Sequence, residues 1–106
     1  MISIITDSTC DIPADLAGQH GILVVPQMLI WGEQQYRDRV DLQPGEFYQR
    51  LQADKDRPRT SLPAVYDFRT AYESAASRGA SELLVLTLSS ALSGTYETAR
   101  QAADGF

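Results

Sequence analysis

Leu83-Leu84-Val85-Leu86 is an unbroken apolar run followed at once by a segment crowded with hydroxyls, Leu88-Ser89-Ser90-Ala91-Leu92-Ser93-Gly94-Thr95-Tyr96. The run is too short for a helix and carries no charge, so it reads as a buried strand. Tyr96 to Ala103 then reads as a helix. A buried strand that hands over to a helix through a short turn is the repeating unit of parallel sheets. The chain holds further pieces of the same kind. Ile2 to Thr6 reads as a first strand, apolar except for Ser3, and Ile22 to Val25 as another buried strand. Between them Pro13 suits the first turn of a helix, where its missing N–H is not needed, and Gly21 stops that helix after Gln19.

The middle of the chain departs from this rhythm. Gln27 to Trp31 and Gln35 to Asp38 flank Gly32-Glu33, which predicts a hairpin. Pro44 and Glu46 open a helix whose buried side would be Phe47, Tyr48 and Leu51. Asp54 to Arg59 reads as a charged loop. Ser61 then predicts an N-cap and Pro63 a first turn for the helix in which Val65, Phe68, Tyr72, Ala75 and Ala76 recur at helical spacing, with Gly79 at its end. The sum is an α/β domain of three layers: a mostly parallel sheet flanked by helices, with an added β-hairpin.

Composition narrows the partners. At 106 residues the chain is one domain, and its 43% hydrophobic content is ordinary for a globular fold. Nine Lys and Arg against fourteen Asp and Glu leave a net charge of -5, which argues against nucleic acid, whose phosphates need clustered cations. Lys55, Arg57 and Arg59 are interleaved with Asp54 and Asp56 and read as a solvated loop. Asp38 and Asp41 read as hairpin-edge charges within reach of Arg37 or Arg39. Cys10 is the single cysteine, so no intrachain disulfide can form, and a cytoplasmic location is the expectation. No stretch is long enough to span a membrane as a helix, and the start of the chain lacks the basic opening of a signal peptide. The chain stops at Asp104-Gly105-Phe106 just after a helix, where an α/β sheet would ordinarily continue, so a truncated or isolated domain is expected.

Three hydroxyl clusters could carry chemistry: Ser8-Thr9 after the first strand, Thr60-Ser61 before the long helix, and Ser89 to Thr95 after the last strand. Helix N-termini leave N–H groups unpaired and carry partial positive charge, so anions are welcome there. Hydroxyls and amides without a fixed cation suit one carboxylate better than a polyphosphate. Each cluster also has an ordinary use as a cap. Catalytic motifs find little support. Ala91 stands where a nucleophile elbow needs glycine before Ser93. His20, the only histidine, falls at the end of the first helix, and Asp7 reads as a turn residue bonding its own backbone. There is no phosphate-loop lysine, no dinucleotide glycine motif and no metal-ligand cluster.

In order along the chain stand Ile4-Ile5-Thr6-Asp7-Ser8-Thr9, Ile12-Pro13, Val24-Val25-Pro26, Tyr36-Arg37-Asp38, Phe47-Tyr48, Thr60-Ser61-x-Pro63 and Ser89-Ser90-x-Leu92-Ser93-Gly94-Thr95-Tyr96. This ordered set resembles the N-terminal domain of the DegV family, whose characterised members are fatty-acid-binding proteins, the B subunit of bacterial fatty acid kinase. The resemblance implies a lipid carrier rather than an enzyme. A long-chain fatty acid is its ligand, with no cofactor or metal, and an ATP-dependent kinase subunit phosphorylates the presented carboxylate. Carried over by motif, Thr60, Ser61 and Ser93 hold that carboxylate, with Ser8, Thr9, Gly94 and Thr95 as secondary candidates. Transient membrane contact and self-association of the shortened chain are compatible with this role. Leu62 and Ala64 stand where the family often has Gln and Ser, and the family's C-terminal domain is not in this chain. Two other readings compete: a truncated domain acting through dimerisation or assembly, and a serine acyl-transfer enzyme built on Ser93.

Overall fold

A computed structural model describes all residues from 1 to 106. The elements run β1 (Ile2–Asp7), α1 (Ala14–Gln19), β2 (Leu23–Val25), β3 (Met28–Trp31), β4 (Gln34–Arg37), α2 (Pro44–Ala53), β5 (Arg59–Ser61), α3 (Val65–Ser77), β6 (Glu82–Leu86) and α4 (Thr95–Ala103). A 3-10 turn, Ser8–Cys10, follows β1 directly.

Two sheets form. One is parallel, in the order β2-β1-β6, with Ile5 beside both Leu23 and Val85. Paired residues share a face, so Ile5, Leu23, Val25, Leu83 and Val85 point the same way. They meet Phe68, Tyr72 and Ala75 of α3 and Ala99 and Ala102 of α4 in the main core. The Tyr72 hydroxyl donates to Ala99 O at 2.8 Å and joins the two helices, and burial pushes its phenol above the usual range. The connections β1–α1–β2 and β2–α3–β6 cross the sheet in opposite directions. Right-handed crossovers therefore put α1 and α3 on opposite faces, which gives the three layers.

β6 differs from the expected buried strand. It lies at the sheet edge, and only the Leu83 and Val85 side is covered. Leu84 and Leu86 remain 49% and 51% exposed, beside exposed Ile2 and Ile4 of β1. The helix α1 belongs to the β2 side of that face and leaves the β6 side bare.

The second sheet, β4-β3-β5, is antiparallel. Its hairpin turns at Gly32-Glu33, where Gly32 takes a φ of +63° that a side chain would resist. Behind it Leu29, Trp31 and Leu42 pack with Phe47 and Leu51 of α2 in a smaller, separate core. The Trp31 and Phe47 rings meet edge to face at 5.5 Å. Tyr48, expected inside, is 63% exposed, because it lies one helical step round from Phe47. The strand β5 was not expected. Arg59, Thr60 and Ser61 pair with Ile30, Leu29 and Met28 instead of forming a loop and a cap. The cap of α3 is Ala64, with no side-chain bond, and Pro63 precedes the helix rather than opening it. Arg37 pairs with Asp67 of α3 at 3.0 Å and Arg39 with Asp11 at 3.3 Å, so neither takes Asp38 or Asp41 as an ionic partner. Asp41 instead accepts the backbone N–H of Arg37.

Candidate functional site

The three parallel strands end side by side at Val25, Asp7 and Leu86. Their following segments, Pro26-Gln27, Ser8-Thr9 and Thr87 to Gly94, therefore meet at one edge. The chain leaves β1 toward α1 on one face and leaves β6 toward α4 on the other. The crevice between such diverging connections is where open α/β sheets bind ligands. Asp7, almost wholly buried, ties the two sides together. One of its oxygens accepts from Thr9 N at 2.8 Å and also from the Thr9 hydroxyl, and the other accepts from Leu88 N at 3.1 Å. Leu88 is far along the chain, so this carboxylate fixes the distance between two loops, beyond the local turn expected of it.

A cavity of about 490 Å³ opens in this crevice, walled by Thr9, Gln27, Thr60, Ser61, Leu62, Leu88, Leu92, Ser93 and Gly94. Thr60, Ser61 and Ser93 thus share one wall, joined by Thr9 and Gly94. Thr60 pairs with Leu29 and Ser61 with Met28, so their side chains leave β5 toward opposite faces. Gly94 permits the close approach of this wall to α4: a Cβ there would stand 3.1 Å from Leu62 Cδ1. Ser8 and Thr95 are not on the wall. Ser8 is buried beneath it, where its hydroxyl accepts from Gln27 N at 3.0 Å. Thr95 is fully buried behind Ser93.

No lining residue is ionisable. The donors on offer are hydroxyls and the first-turn N–H groups of α4 after Thr95, whose own N–H goes to Ser93; the N-cap, Gly94, gives no side-chain bond. The Ser93 hydroxyl lies 2.9 Å from Thr95 Oγ1 and accepts from Thr95 N at 3.2 Å; its partners are neither imidazole nor carboxylate. His20 sits exposed at the C-cap of α1, as its sequence position suggests. No three His, Cys, Asp or Glu side chains gather as a metal site, and no helix is long and apolar enough to cross a membrane.

Thr9 also borders a second cavity, about 310 Å³, with Leu29, Pro44, Phe47 and Tyr48 on its apolar side and Asp11, Asp38 and Arg39 on its polar side. The Arg39 guanidinium is already engaged with Asp11 and with Ile12 O. Two carboxylates and an occupied cation make this a poorer seat for an anion than the uncharged wall beside it.

Gln27 was missed from sequence, where it reads as the first residue of a hairpin strand. It is buried, and its side-chain NH2 donates to Thr95 Oγ1 at 3.1 Å. A polar residue just past a buried parallel strand is the signal that could have found it, once the strand order is known.

The sequence matches the DegV family, described as an uncharacterised protein family, over residues 1–106. A DegV domain-containing protein of Clostridium acetobutylicum is 36% identical over 104 residues, covering 98% of this chain and 36% of that protein. Among solved structures, a stearic acid-binding protein from Eubacterium ventriosum is similar with a TM-score of 0.89 at 34% identity, covering 98% of this chain and 36% of that one. DegV from Bacillus subtilis, a fatty acid binding protein, has a TM-score of 0.87 at 30% identity, over 97% of this chain and 36% of its own. The chain thus spans about a third of the length of the proteins it matches.

Proposed function

The chain belongs to the DegV family, and from that premise we propose that it binds a long-chain fatty acid by its carboxylate at the Thr60–Ser61–Ser93 wall. The observation that supports this reading is that Thr60, Ser61 and Ser93 all line one cavity without ionisable residues at the diverging edge of the parallel sheet. The physics is consistent. Each buried CH2 stabilises the complex by about 0.8 kcal/mol, so the tail supplies most of the affinity. A carboxylate carried into the cavity must be hydrogen-bonded, because burying it bare is very costly. Hydroxyl and amide donors satisfy it on one side and leave its outer oxygen free. Leu62, Leu88 and Leu92 start the apolar path for the tail.

The free oxygen suits a second step, in which an ATP-dependent kinase subunit phosphorylates the presented carboxylate in the cytoplasm. In this reading the protein is a carrier, and it supplies no base of its own. Leu62 and Leu92 are exposed on the open side of the cavity.

The test is stearate binding by the chain and by its Ser93→Ala and Thr60→Ala variants. Losing one hydrogen bond to a charged group should weaken binding about tenfold or more. Unchanged affinity in both variants contradicts the assignment. The bare face at Ile2, Ile4, Leu84 and Leu86 favours a second reading, in which the chain acts through assembly. Native mass spectrometry separates the two: a co-purified fatty acid supports the carrier, a ligand-free dimer supports assembly.

A further inference from the structure

We propose that Gln27 and Thr95 form a relay that fixes the direction of the Ser93 hydroxyl, so that it donates its proton into the cavity. The inference rests on the fatty-acid reading for its purpose, but its geometry stands apart from the ligand. The Gln27 NH2 donates to Thr95 Oγ1 at 3.1 Å, Thr95 Oγ1 lies 2.9 Å from Ser93 Oγ, and Thr95 N–H donates to Ser93 Oγ at 3.2 Å. A hydroxyl has one proton to give and two lone pairs to receive. Thr95 Oγ1 has already received from Gln27. It is fully buried, and its one other partner is Ser93, so its proton goes to Ser93 Oγ. Ser93 Oγ then receives from both the N–H and the O–H of Thr95. Its lone pairs are filled, and its own proton remains for the cavity.

The consequence is selectivity. A carboxylate can only accept, and it meets a hydroxyl already turned to donate. A fatty alcohol both donates and accepts, and gains little from a fixed direction. Gln27 and Thr95 are positioning residues: they act on the ligand through Ser93.

The experiment compares the chain with Thr95→Val, which keeps the shape and removes the relay hydroxyl, and Thr95→Ser, which restores it. The first readout needs no ligand. Nitrogen-15 spectra follow the two side-chain amide protons of Gln27, which should shift and exchange faster in Thr95→Val and return in Thr95→Ser. If they do not respond, Gln27 does not donate to Thr95 and the relay is overturned. The second readout uses palmitate labelled with carbon-13 at the carboxyl, against 1-hexadecanol. Thr95→Val should lower the preference for palmitate over hexadecanol about tenfold, the scale of one charge-assisted hydrogen bond. It should also raise the pH at which the bound carboxyl titrates, and Thr95→Ser should recover both. Palmitate binding with an unaltered preference and titration in Thr95→Val overturns the relay. Absence of palmitate binding by the parent chain overturns the fatty-acid reading instead, and the amide readout still decides the relay.

Discussion

Asp7 joins the two sides of the crevice without lining the cavity. Its two oxygens hold Thr9 on one side of the crevice and Leu88 on the other, from a position that is 1% exposed. Hydrogen bonds to a buried charge are worth more than neutral ones, and an unmatched donor at such a site costs further. Asp7→Asn keeps the size but points an NH2 at groups that are themselves donors. We expect it to destabilise the chain by about 2 kcal/mol, read from urea unfolding midpoints at constant m-value. A midpoint equal to the parent's contradicts the tie. From the sequence, Asp7 was legible as a turn residue, because the Thr9 contact is local. The Leu88 contact spans 81 positions and depends on β1 and β6 being neighbours, which no local pattern states. Gln27 was hidden for the same reason, since its partner Thr95 is 68 positions away.

Among the elements, those with their own periodic signal were legible. Phe68, Tyr72 and Ala75 announce α3, and the Gly32-Glu33 turn announces the hairpin. The strand β5 had no such signal: three polar residues, all exposed, are held only by backbone pairing to β3. Its last residue, Ser61, and the following Pro63 imitate a helix start, and the true cap came three residues after Ser61. The helix α4 allows a test by pH. The Glu97 carboxylate is held below its usual range, chiefly by hydrogen bonds from the Arg100 guanidinium and further by its charge, against some loss of hydration. A folded-state value below the unfolded one means stability that is complete above the ordinary glutamate range. That stability is lost as pH falls through the depressed value. Glu97→Gln should therefore flatten the fall in Tm between neutral and acid pH. The effect should be small and should shrink in high salt, since both side chains are half exposed. An identical Tm–pH profile in low salt contradicts a role for the pair.

The whole molecule is longer and more open than a compact chain of its size. Its radius of gyration is 14.5 Å, where about 13 Å is expected, and its surface of 6919 Å² exceeds the expected value of about 5,900 Å². The cause is the division into two cores, seven buried residues under the parallel sheet and three behind the hairpin. Local stability should follow that division. Amide hydrogen exchange should find β1 and α3 protected longest and β3, β4, β5 and α2 opening first; uniform protection across both sheets contradicts separate cores. Overall architecture was legible because the order of strand and helix signals restricts topology. The bare face of β6 was not, since an apolar strand looks the same in sequence whether one face is covered or both. That bare face also sets the most direct test of the carrier role, because a fatty acid could adhere to any exposed apolar patch. Stearate titrated into the nitrogen-15-labelled chain should shift the backbone amides of Thr60, Ser61, Ser93, Gly94 and Tyr96 in a saturable way, with Ile2, Ile4, Leu84 and Leu86 unmoved. Shifts confined to Ile2, Ile4, Leu84 and Leu86, or none at the Ser93 turn, would contradict the account.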